Sequence, residues 1–295
     1  MNQLEHFNQY RPLLFSIAYR MLGSAMDAED MIQETYLRWQ QQSETGIDSP
    51  KAFLSTVITR LCIDQLRSAR VQREQYLGPW LPEPLVSSQG PDAADMVTLA
   101  DSLSTAFLVL LESLSPTERA VFLLREVFDY DYADIAGIVG KSEANCRQIV
   151  HRAGQHISAG RPRFETSPEQ QEQLTQQFLE TCTTGDMEGF MNLLTEDIVL
   201  QSDGGGKAIA AIYPVSGPDR VARFFFGLLR KAAPDIAFAR TPVNHQPGVI
   251  TYYNGQPVNV ITFDFAGDRI WRIFIVVNPD KLHGLPPLGG KTSLN

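Results

Sequence analysis

Cysteine is scarce in this chain, and long apolar runs are missing from it. The 295 residues include three cysteines, Cys62, Cys146 and Cys182, and no two of them form a CxxC pair. This spacing argues against a disulfide framework and a structural zinc site, so we expect buried thiols and no metal or other cofactor. No apolar run reaches the ~18 residues of a membrane span, and the first residues lack the basic-then-apolar order of a signal peptide. We therefore expect a cytoplasmic protein without a membrane segment.

The chain also lacks an excess of basic residues. Its 25 Lys and Arg residues face 34 Asp and Glu residues, which gives a formal net charge of −9. That balance argues against nucleic-acid binding by the chain as a whole. However, residues 51–73 and 140–163 each hold five basic residues and one acidic residue. These two segments predict local surfaces that suit a polyanion.

Proline-rich sequence separates the helical segments. Residues 1–75 and 100–160 show helical periodicity, and residues 76–99 between them contain four prolines and read as a linker. The stretch Trp80-Leu81-Pro82-Glu83-Pro84 is apolar enough to lie on another surface, although a stiff spacer fits its composition equally well.

The periodicity changes again over residues 166–295. Ser167 and Gln170 form a capping-box pattern at the start of a helix. The pattern predicts helices at about 168–184, 186–195 and 217–233, and strands at about 197–202, 207–215, 236–241, 248–253, 257–265 and 269–277. We expect an α+β domain with a curved antiparallel sheet.

Residues 115–157 have the spacing of a helix-turn-helix. Ser115 and Glu118 form a capping box, a short helix spans 132–138, and Ser142 is placed to cap a third helix. The predicted buried stripe of that helix is Cys146, Ile149, Val150, Ala153 and Ile157. The opposite face carries Arg147, Gln148, His151 and Arg152. Such side chains reach base edges and phosphates in a major groove, so we predict a DNA-reading helix; a solvated polar face is the alternative.

Two further helices carry candidate binding faces. In residues 52–73, Leu54, Val57, Ile58 and Leu61 form the predicted buried stripe. The far side carries Thr56, Thr59, Arg60, Arg67 and Arg70, which suits phosphates and exposed bases. In the helix around residues 28–41, the outer face shows Asp30, Gln33, Glu34 and Leu37. An acidic face with an exposed leucine suits a basic protein surface, although it fits an ordinary charged helix as well.

The order of these segments resembles the extracytoplasmic-function sigma factors of bacterial RNA polymerase. DAEDMIQETYLRW resembles the family's polymerase-binding helix, and SPKAFLSTVITRLCIDQLRSAR resembles its helix for the minus-ten promoter element. SPTERAVFLLREVFDYDYADIAGIVGKSEANCRQIVHRA resembles the domain for the minus-thirty-five element. One departure is Thr59-Arg60, where many members have Arg-Asn.

The resemblance implies a role for each face. Residues 1–75 would be sigma domain two, and residues 100–163 sigma domain four. The polymerase contacts would be Asp30, Gln33, Glu34 and Leu37. The DNA contacts would be Arg60, Arg67 and Arg70 at minus ten, and Ser142, Arg147, Gln148, His151 and Arg152 at minus thirty-five.

Residues 166–295 resemble a SnoaL-like domain, a cone-shaped α+β fold with a pocket. Three motifs together resemble the subgroup of sigma factors that carries its regulator as a fused C-terminal domain. They are Trp80-Leu81-Pro82-Glu83-Pro84, Asp203-Gly204-Gly205-Gly206-Lys207, and Asn278-Pro279-Asp280-Lys281-Leu282. The glycine segment is not a phosphate loop, because it lacks the GxxxxGK spacing. The implied interdomain residues are Trp80, Pro82, Asp203, Gly204, Gly205, Gly206, Lys207, Asn278, Pro279 and Asp280.

The resulting prediction is an alternative sigma factor and not an enzyme. Its fold would be multidomain, with two all-α sigma domains and a C-terminal α+β SnoaL-like cone. Its partners would be core RNA polymerase, promoter DNA and a candidate small-molecule ligand of the C-terminal domain. Two alternatives stay open: a helix-turn-helix regulator with a small-molecule sensor domain, and a polyketide-cyclase-like enzyme using His245 and Asp264.

Overall fold

The computed structural model describes residues 3–42, 49–73, 76–86, 104–160, 166–231 and 235–289. The chain divides into two compact units. The first unit combines Met1–Gln75 with Leu110–Gly160, and the second combines Tyr76–Val109 with Arg161–Asn295. Residues 76–86, which follow the first three helices in sequence, therefore belong with the C-terminal residues.

The first unit is helical. Its helices are α1 (Gln3–Leu22), α2 (Ala25–Gln40), α3 (Pro50–Arg73), the last residues of α4 (Thr105–Leu111), α5 (Pro116–Glu126), α6 (Tyr132–Val139) and α7 (Glu143–Ala159). The boundary between the two units falls inside α4, between Val109 and Leu110. Helix α2 begins where the Ser24 hydroxyl accepts a hydrogen bond from the Asp27 amide. Helices α1, α2 and α3 pack around buried side chains such as Leu14, Ile32 and Ile58.

Helices α5, α6 and α7 form the predicted helix-turn-helix. The Ser115–Glu118 capping box is present, and Ser142 caps α7 by accepting from the Asn145 amide. Gly140 ends α6 with a φ of +66°, a left-handed conformation that costs glycine little. The whole predicted stripe of α7 from Cys146 to Ile157 is buried. The periodicity was therefore sufficient to orient α7.

The helix-turn-helix also packs on α3, which corrects the prediction for Thr59. This side chain was expected on the open face, but it is fully buried. Helices α5 and α6 contact α3, and the Tyr130 hydroxyl donates to Ser55 Oγ at 2.6 Å. Ser55 is likewise fully buried. A pattern within one helix does not show this, because the covering residues lie about 75 positions away in sequence.

The second unit contains a six-stranded mixed sheet. Its strands are β1 (Leu194–Asp203), β2 (Val215–Ser216), β3 (Ile236–Val243), β4 (Gln246–Tyr253), β5 (Gln256–Ala266) and β6 (Arg269–Val276), in the order β2-β1-β6-β5-β4-β3. Helices α8 (Pro168–Thr184), α9 (Met187–Asn192) and α10 (Pro218–Lys231) accompany it. A 3₁₀ turn, Pro279–Lys281, follows β6.

Two details of this sheet differ from the prediction. Strand β1 runs parallel to β6, so the sheet is mixed and not purely antiparallel. Residues 207–214 form an irregular connection, and only Val215–Ser216 pairs as a strand. The apolar run in this connection lies at the surface, since Ile209 is 95% exposed. Its composition favoured a strand, but the connection is folded back, with the Ala211 amide donating to Ser202 Oγ at 2.7 Å.

Aromatic side chains fill the space between the sheet and its helices. Phe178 packs against Phe190, Phe225 and Phe263, with ring centroids 4.8–5.4 Å apart. These rings are buried, so the space between the sheet and its helices is a packed core around Phe178. Within the described residues, no helix is long and apolar enough to cross a membrane.

Candidate polymerase, promoter and regulatory surfaces

The outer face of α2 carries all four predicted polymerase contacts. Asp30, Gln33 and Leu37 are exposed, and Leu37 is 52% exposed although it is apolar. The Glu34 carboxylate accepts a hydrogen bond from Arg38 Nε at 2.9 Å, and its side chain is 42% exposed. The buried side of the same helix holds Trp39. The helix therefore presents an acidic surface with exposed apolar side chains at Leu37 and, one turn before Asp30, at Met26.

The predicted minus-ten residues on α3 differ in the groups that they contact. Arg60 donates from Nε to the Ile138 carbonyl and from Nη2 to the Gly137 carbonyl, both at 2.9 Å. These carbonyls lie at the C-terminal end of α6, where a cation is favourable. Arg67 is exposed and forms an ion pair with Asp64 at 3.2 Å. The side chain of Arg70 lies outside the described residues.

The predicted minus-thirty-five residues share one open face of α7. Arg147, Gln148, His151 and Arg152 are all exposed. Arg147 Nη2 donates to Glu143 Oε2 at 2.7 Å, and a hydrogen bond of 3.2 Å joins the side chains of Gln155 and His151. Ser142 serves as the N-cap. The face thus combines charged and amide groups that can address both phosphates and base edges.

Residues from all three motifs contact the Asp203 carboxylate, and among the predicted regulatory residues Gly205 donates to it directly. This carboxylate is fully buried, and its Oδ1 accepts from the Tyr76 hydroxyl at 2.5 Å and from the Gly205 amide at 3.0 Å. Its Oδ2 accepts from the Leu81 amide at 2.9 Å and from Lys281 Nζ at 2.7 Å. A buried carboxylate with four donors, one of them cationic, is fully compensated.

The remaining motif residues surround this carboxylate. Lys281 Nζ lies 4.2 Å from the centroid of the Trp80 ring, which is a cation–π distance. Asn278 Nδ2 donates to the Tyr76 hydroxyl at 3.0 Å. We call Tyr76, Trp80, Asp203, Asn278 and Lys281 the linker clamp. Burial and the hydrogen bond to Asp203 raise the pKa of Tyr76 above its usual value.

The glycine segment fits tightly into the clamp. Gly205 has a φ of +59°, and an added Cβ would lie 2.3 Å from Asn278 Nδ2. A Cβ on Gly204 would lie 2.4 Å from the Ala208 carbonyl oxygen, and Gly206 has a φ of +71°. Lys207 leaves the buried cluster and pairs with Asp280 at the surface. Pro82 is buried, and Pro279 opens the 3₁₀ turn that carries Lys281.

A second set of contacts holds the linker further along. Leu81 is fully buried among residues of the sheet, including Val243 and Phe274. The Leu85 amide donates to Asn244 Oδ1 at 2.7 Å, and the Asn244 amide donates to the Leu85 carbonyl at 2.8 Å. Residues 76–86 therefore lie on the C-terminal domain and do not act as a free spacer.

Tyr76 and Lys281 were not among the site residues chosen from the sequence. Lys281 belongs to the motif Asn278-Pro279-Asp280-Lys281-Leu282, but nothing in the spacing of that motif indicates a pair with Asp203. Tyr76 lies 127 residues from Asp203 in sequence, so no local pattern connects them. Their roles depend on tertiary contacts.

The aromatic residues of the C-terminal domain are divided between core and surface. Phe225 and Phe226 are buried in the core, whereas Tyr253 is 41% exposed. An open groove of about 370 Å³ lies elsewhere, between α8 and β3, and its lining includes Leu179, Phe238 and Arg240. No cluster of potential metal ligands occurs in the described parts of the chain. The three thiols are buried as expected, and burial raises the pKa of Cys182 to about 12.

Comparison with known proteins covers nearly the whole chain. Residues 6–71 match the Sigma-70 region 2 family, and residues 104–157 match the Sigma-70, region 4 family. The ECF RNA polymerase sigma factor SigJ of Mycobacterium tuberculosis is 34% identical over 297 residues, covering 96% of this chain and 94% of SigJ. The probable ECF RNA polymerase sigma factor SigI of the same species is 33% identical, covering 95% of each chain.

A solved structure extends this similarity to the fold. The crystal structure of the M. tuberculosis factor SigJ matches with a TM-score of 0.77 at 30% identity, covering 94% of this chain and 97% of that chain. The match includes the C-terminal unit, so the predicted architecture of two helical sigma domains and a fused α+β SnoaL-like domain is confirmed. The prediction that the chain is not an enzyme is confirmed by the same relatives. The chain belongs to the extracytoplasmic-function sigma factors of RNA polymerase, which bind the core enzyme and promoter DNA and direct transcription initiation.

Proposed function

We propose that this sigma factor is regulated by its own C-terminal domain, which holds the linker through the linker clamp. The observation that carries the proposal is the buried Asp203 carboxylate, which receives donors from Tyr76 and Leu81 of the linker and from Lys281 of the C-terminal domain. It would work in the cytoplasm with core RNA polymerase.

Chain connectivity gives this clamp a regulatory consequence. The linker joins α3 to the helix-turn-helix, so every linker residue that is held on the C-terminal domain leaves fewer residues to connect the two DNA-reading segments. Residues 76–86 are held by the clamp, by burial of Leu81 and by the paired hydrogen bonds of Leu85 and Asn244. Their release would lengthen the tether and change how easily both promoter elements are engaged together.

The promoter contacts are proposed for the faces of α3 and α7. Arg147, Gln148, His151 and Arg152 would contact the minus-thirty-five element, with Ser142 at the helix start. Arg60, Arg67 and Arg70 would contact the minus-ten element. Arg60 would first have to leave the Gly137 and Ile138 carbonyls, which are its acceptors in this structure.

Run-off transcription with purified core polymerase tests the recognition helix. Arg147→Ala or Gln148→Ala should relax selection at one base pair of the minus-thirty-five element, at a cost of ~1–3 kcal/mol. Arg223→Ala is a matched control, since Arg223 is also an exposed arginine in an i,i+4 ion pair but lies in the other unit. Unchanged selection with both α7 variants would refute the assignment.

The polymerase contact is proposed for Asp30, Gln33, Glu34 and Leu37. Leu37→Asp places a charge at an exposed apolar position of that face and should weaken co-purification with core polymerase. Leu4→Asp is the control, because Leu4 is exposed to a similar extent, 49% against 52%, but lies on α1. Equal binding by wild type and Leu37→Asp would place the docking face elsewhere.

The linker clamp is tested by run-off transcription with variants of two Lys–Asp pairs. Asp203→Ala removes the buried carboxylate, whereas Lys207→Ala breaks the exposed pair with Asp280. We expect Asp203→Ala to change promoter output several-fold and Lys207→Ala to leave it near wild type. Equal output from Asp203→Ala and wild type would remove the clamp from the regulatory account.

A small-molecule ligand of the C-terminal domain stays a prediction, and the groove between α8 and β3 is the first place to probe.

A further inference from the structure

Two arginines share the ring of Tyr132 in the helix-turn-helix. Arg147 Cζ lies 4.9 Å from the ring centroid, and Arg125 Cζ lies 5.1 Å from the same centroid. Tyr132 is the first residue of α6, whereas Arg125 lies near the end of α5 and Arg147 in the second turn of α7. The ring therefore links all three helices of the motif.

The two arginine side chains differ in their contacts and in their exposure to solvent. Arg125 donates from Nη1 to the Tyr130 carbonyl at 3.0 Å and pairs with Asp129 at 3.3 Å, and its side chain is 32% exposed. Arg147 is 56% exposed, contacts the Tyr132 ring and donates to the Glu143 carboxylate. Arg125 is thus held against the ring by contacts with the protein, whereas Arg147 contacts the ring and is exposed to solvent.

We propose that Tyr132 is a positioning residue for promoter readout, acting through Arg147. This inference rests on the proposed role of Arg147 at the minus-thirty-five element. A guanidinium that stacks on an aromatic ring uses its face for the stack and keeps its N–H edge for hydrogen bonds. A long arginine side chain otherwise loses rotamer entropy when it is fixed on a base. The stack removes part of that loss before DNA arrives.

Tyr132 also has an ordinary packing role, and the test must separate the two. Its side chain is partly buried against the core that contains Ile135 and Val150. Tyr132→Leu keeps apolar bulk but removes the ring, whereas Tyr132→Phe keeps the ring. Only a positioning role predicts that phenylalanine, but not leucine, preserves discrimination at the base pair that Arg147 addresses.

The experiment is run-off transcription with core polymerase on templates that carry every single base-pair substitution in the minus-thirty-five element. Arg147→Ala should lower discrimination at one base pair by about 5- to 150-fold. Tyr132→Leu should lower discrimination at that same base pair by about two- to fivefold. Tyr132→Phe should match wild type. In the Arg147→Ala background, Tyr132→Leu should cause no further loss at that base pair.

Several results would overturn the inference. These are equal behaviour of the leucine and phenylalanine variants, a uniform loss on all templates, or additive losses in the double variant. If Tyr132→Leu does not fold, Tyr132→Met replaces it, since methionine also keeps apolar bulk and removes the ring. That variant should lose discrimination at the base pair that Arg147 addresses, while the salt dependence of transcription stays that of wild type. Discrimination equal to wild type would refute the role of the ring. If Arg147→Ala itself changes no base preference, the assignment of Arg147 fails instead.

Discussion

Removal of the Asp203 carboxylate is the sharpest test of how the linker is held. Asp203→Ala leaves the Tyr76 hydroxyl, the Gly205 and Leu81 amides and Lys281 Nζ without their shared acceptor. The Lys281 side chain is only 11% exposed, so its charge stays largely buried without its counter-ion. Breaking one partner of such a pair costs about 3–5 kcal/mol.

Most of this cost should appear as local release of the linker. A loss of about 3 kcal/mol in local opening free energy corresponds to about 150-fold faster amide exchange. Hydrogen–deuterium exchange of the full chain, followed by mass spectrometry of peptides from residues 76–86, measures it directly. Peptides from β5 should keep their protection, since this strand lies in the centre of the sheet.

Two further variants show whether the electrostatic reasoning is correct. Lys207→Ala breaks a pair whose side chains are 57% and 49% exposed, so it should accelerate linker exchange at most about fivefold. Lys281→Met in the Asp203→Ala background removes the uncompensated charge and should restore part of the protection. Linker exchange in Asp203→Ala equal to wild type, or equal to that in Lys207→Ala, would refute the reasoning.

Three smaller predictions concern glycine, pH and cysteine. Gly205→Ala should destabilise the C-terminal unit more than Gly140→Ala destabilises the helix-turn-helix, by thermal unfolding, because both have positive φ but only the Gly205 Cβ would collide with a neighbour; equal losses would contradict this. Ser115→Ala should cost ~0.5–2 kcal/mol at pH 7. The Ser115 hydroxyl lowers the pKa of Glu118, so this contribution is present above the usual pKa of a glutamate and should shrink in melts as pH falls below it; a constant difference between pH 7 and pH 4 would oppose it. The three buried thiols should resist a thiol reagent in the native protein at pH 8, and rapid labelling would show that they are accessible.

The sequence predicted those features that depend on local pattern. The buried stripe and cap of α7 follow from apolar spacing and from Ser142, and both are present. The acidic face of α2 follows from the same periodicity. The three motifs of the linker and C-terminal domain were identified through family resemblance, and one residue of each, Leu81, Gly205 and Lys281, donates to the Asp203 carboxylate.

The remaining features depend on distant contacts. Thr59 is buried because α5 and α6 pack on α3, which no pattern within α3 could reveal. The parallel pairing of β1 with β6 joins strands about 70 residues apart, and strand composition does not specify direction. Tyr76 and Lys281 acquire their roles only when the chain brings them to one carboxylate.

Run-off transcription with core polymerase, comparing the full chain with a chain ending after residue 165, tests the central claim most directly. The account predicts promoter-specific transcripts that require this protein, and a several-fold change in output when the C-terminal domain is removed. Identical output from the two chains on every promoter would contradict regulation by the C-terminal domain and would leave the sigma domains to act alone.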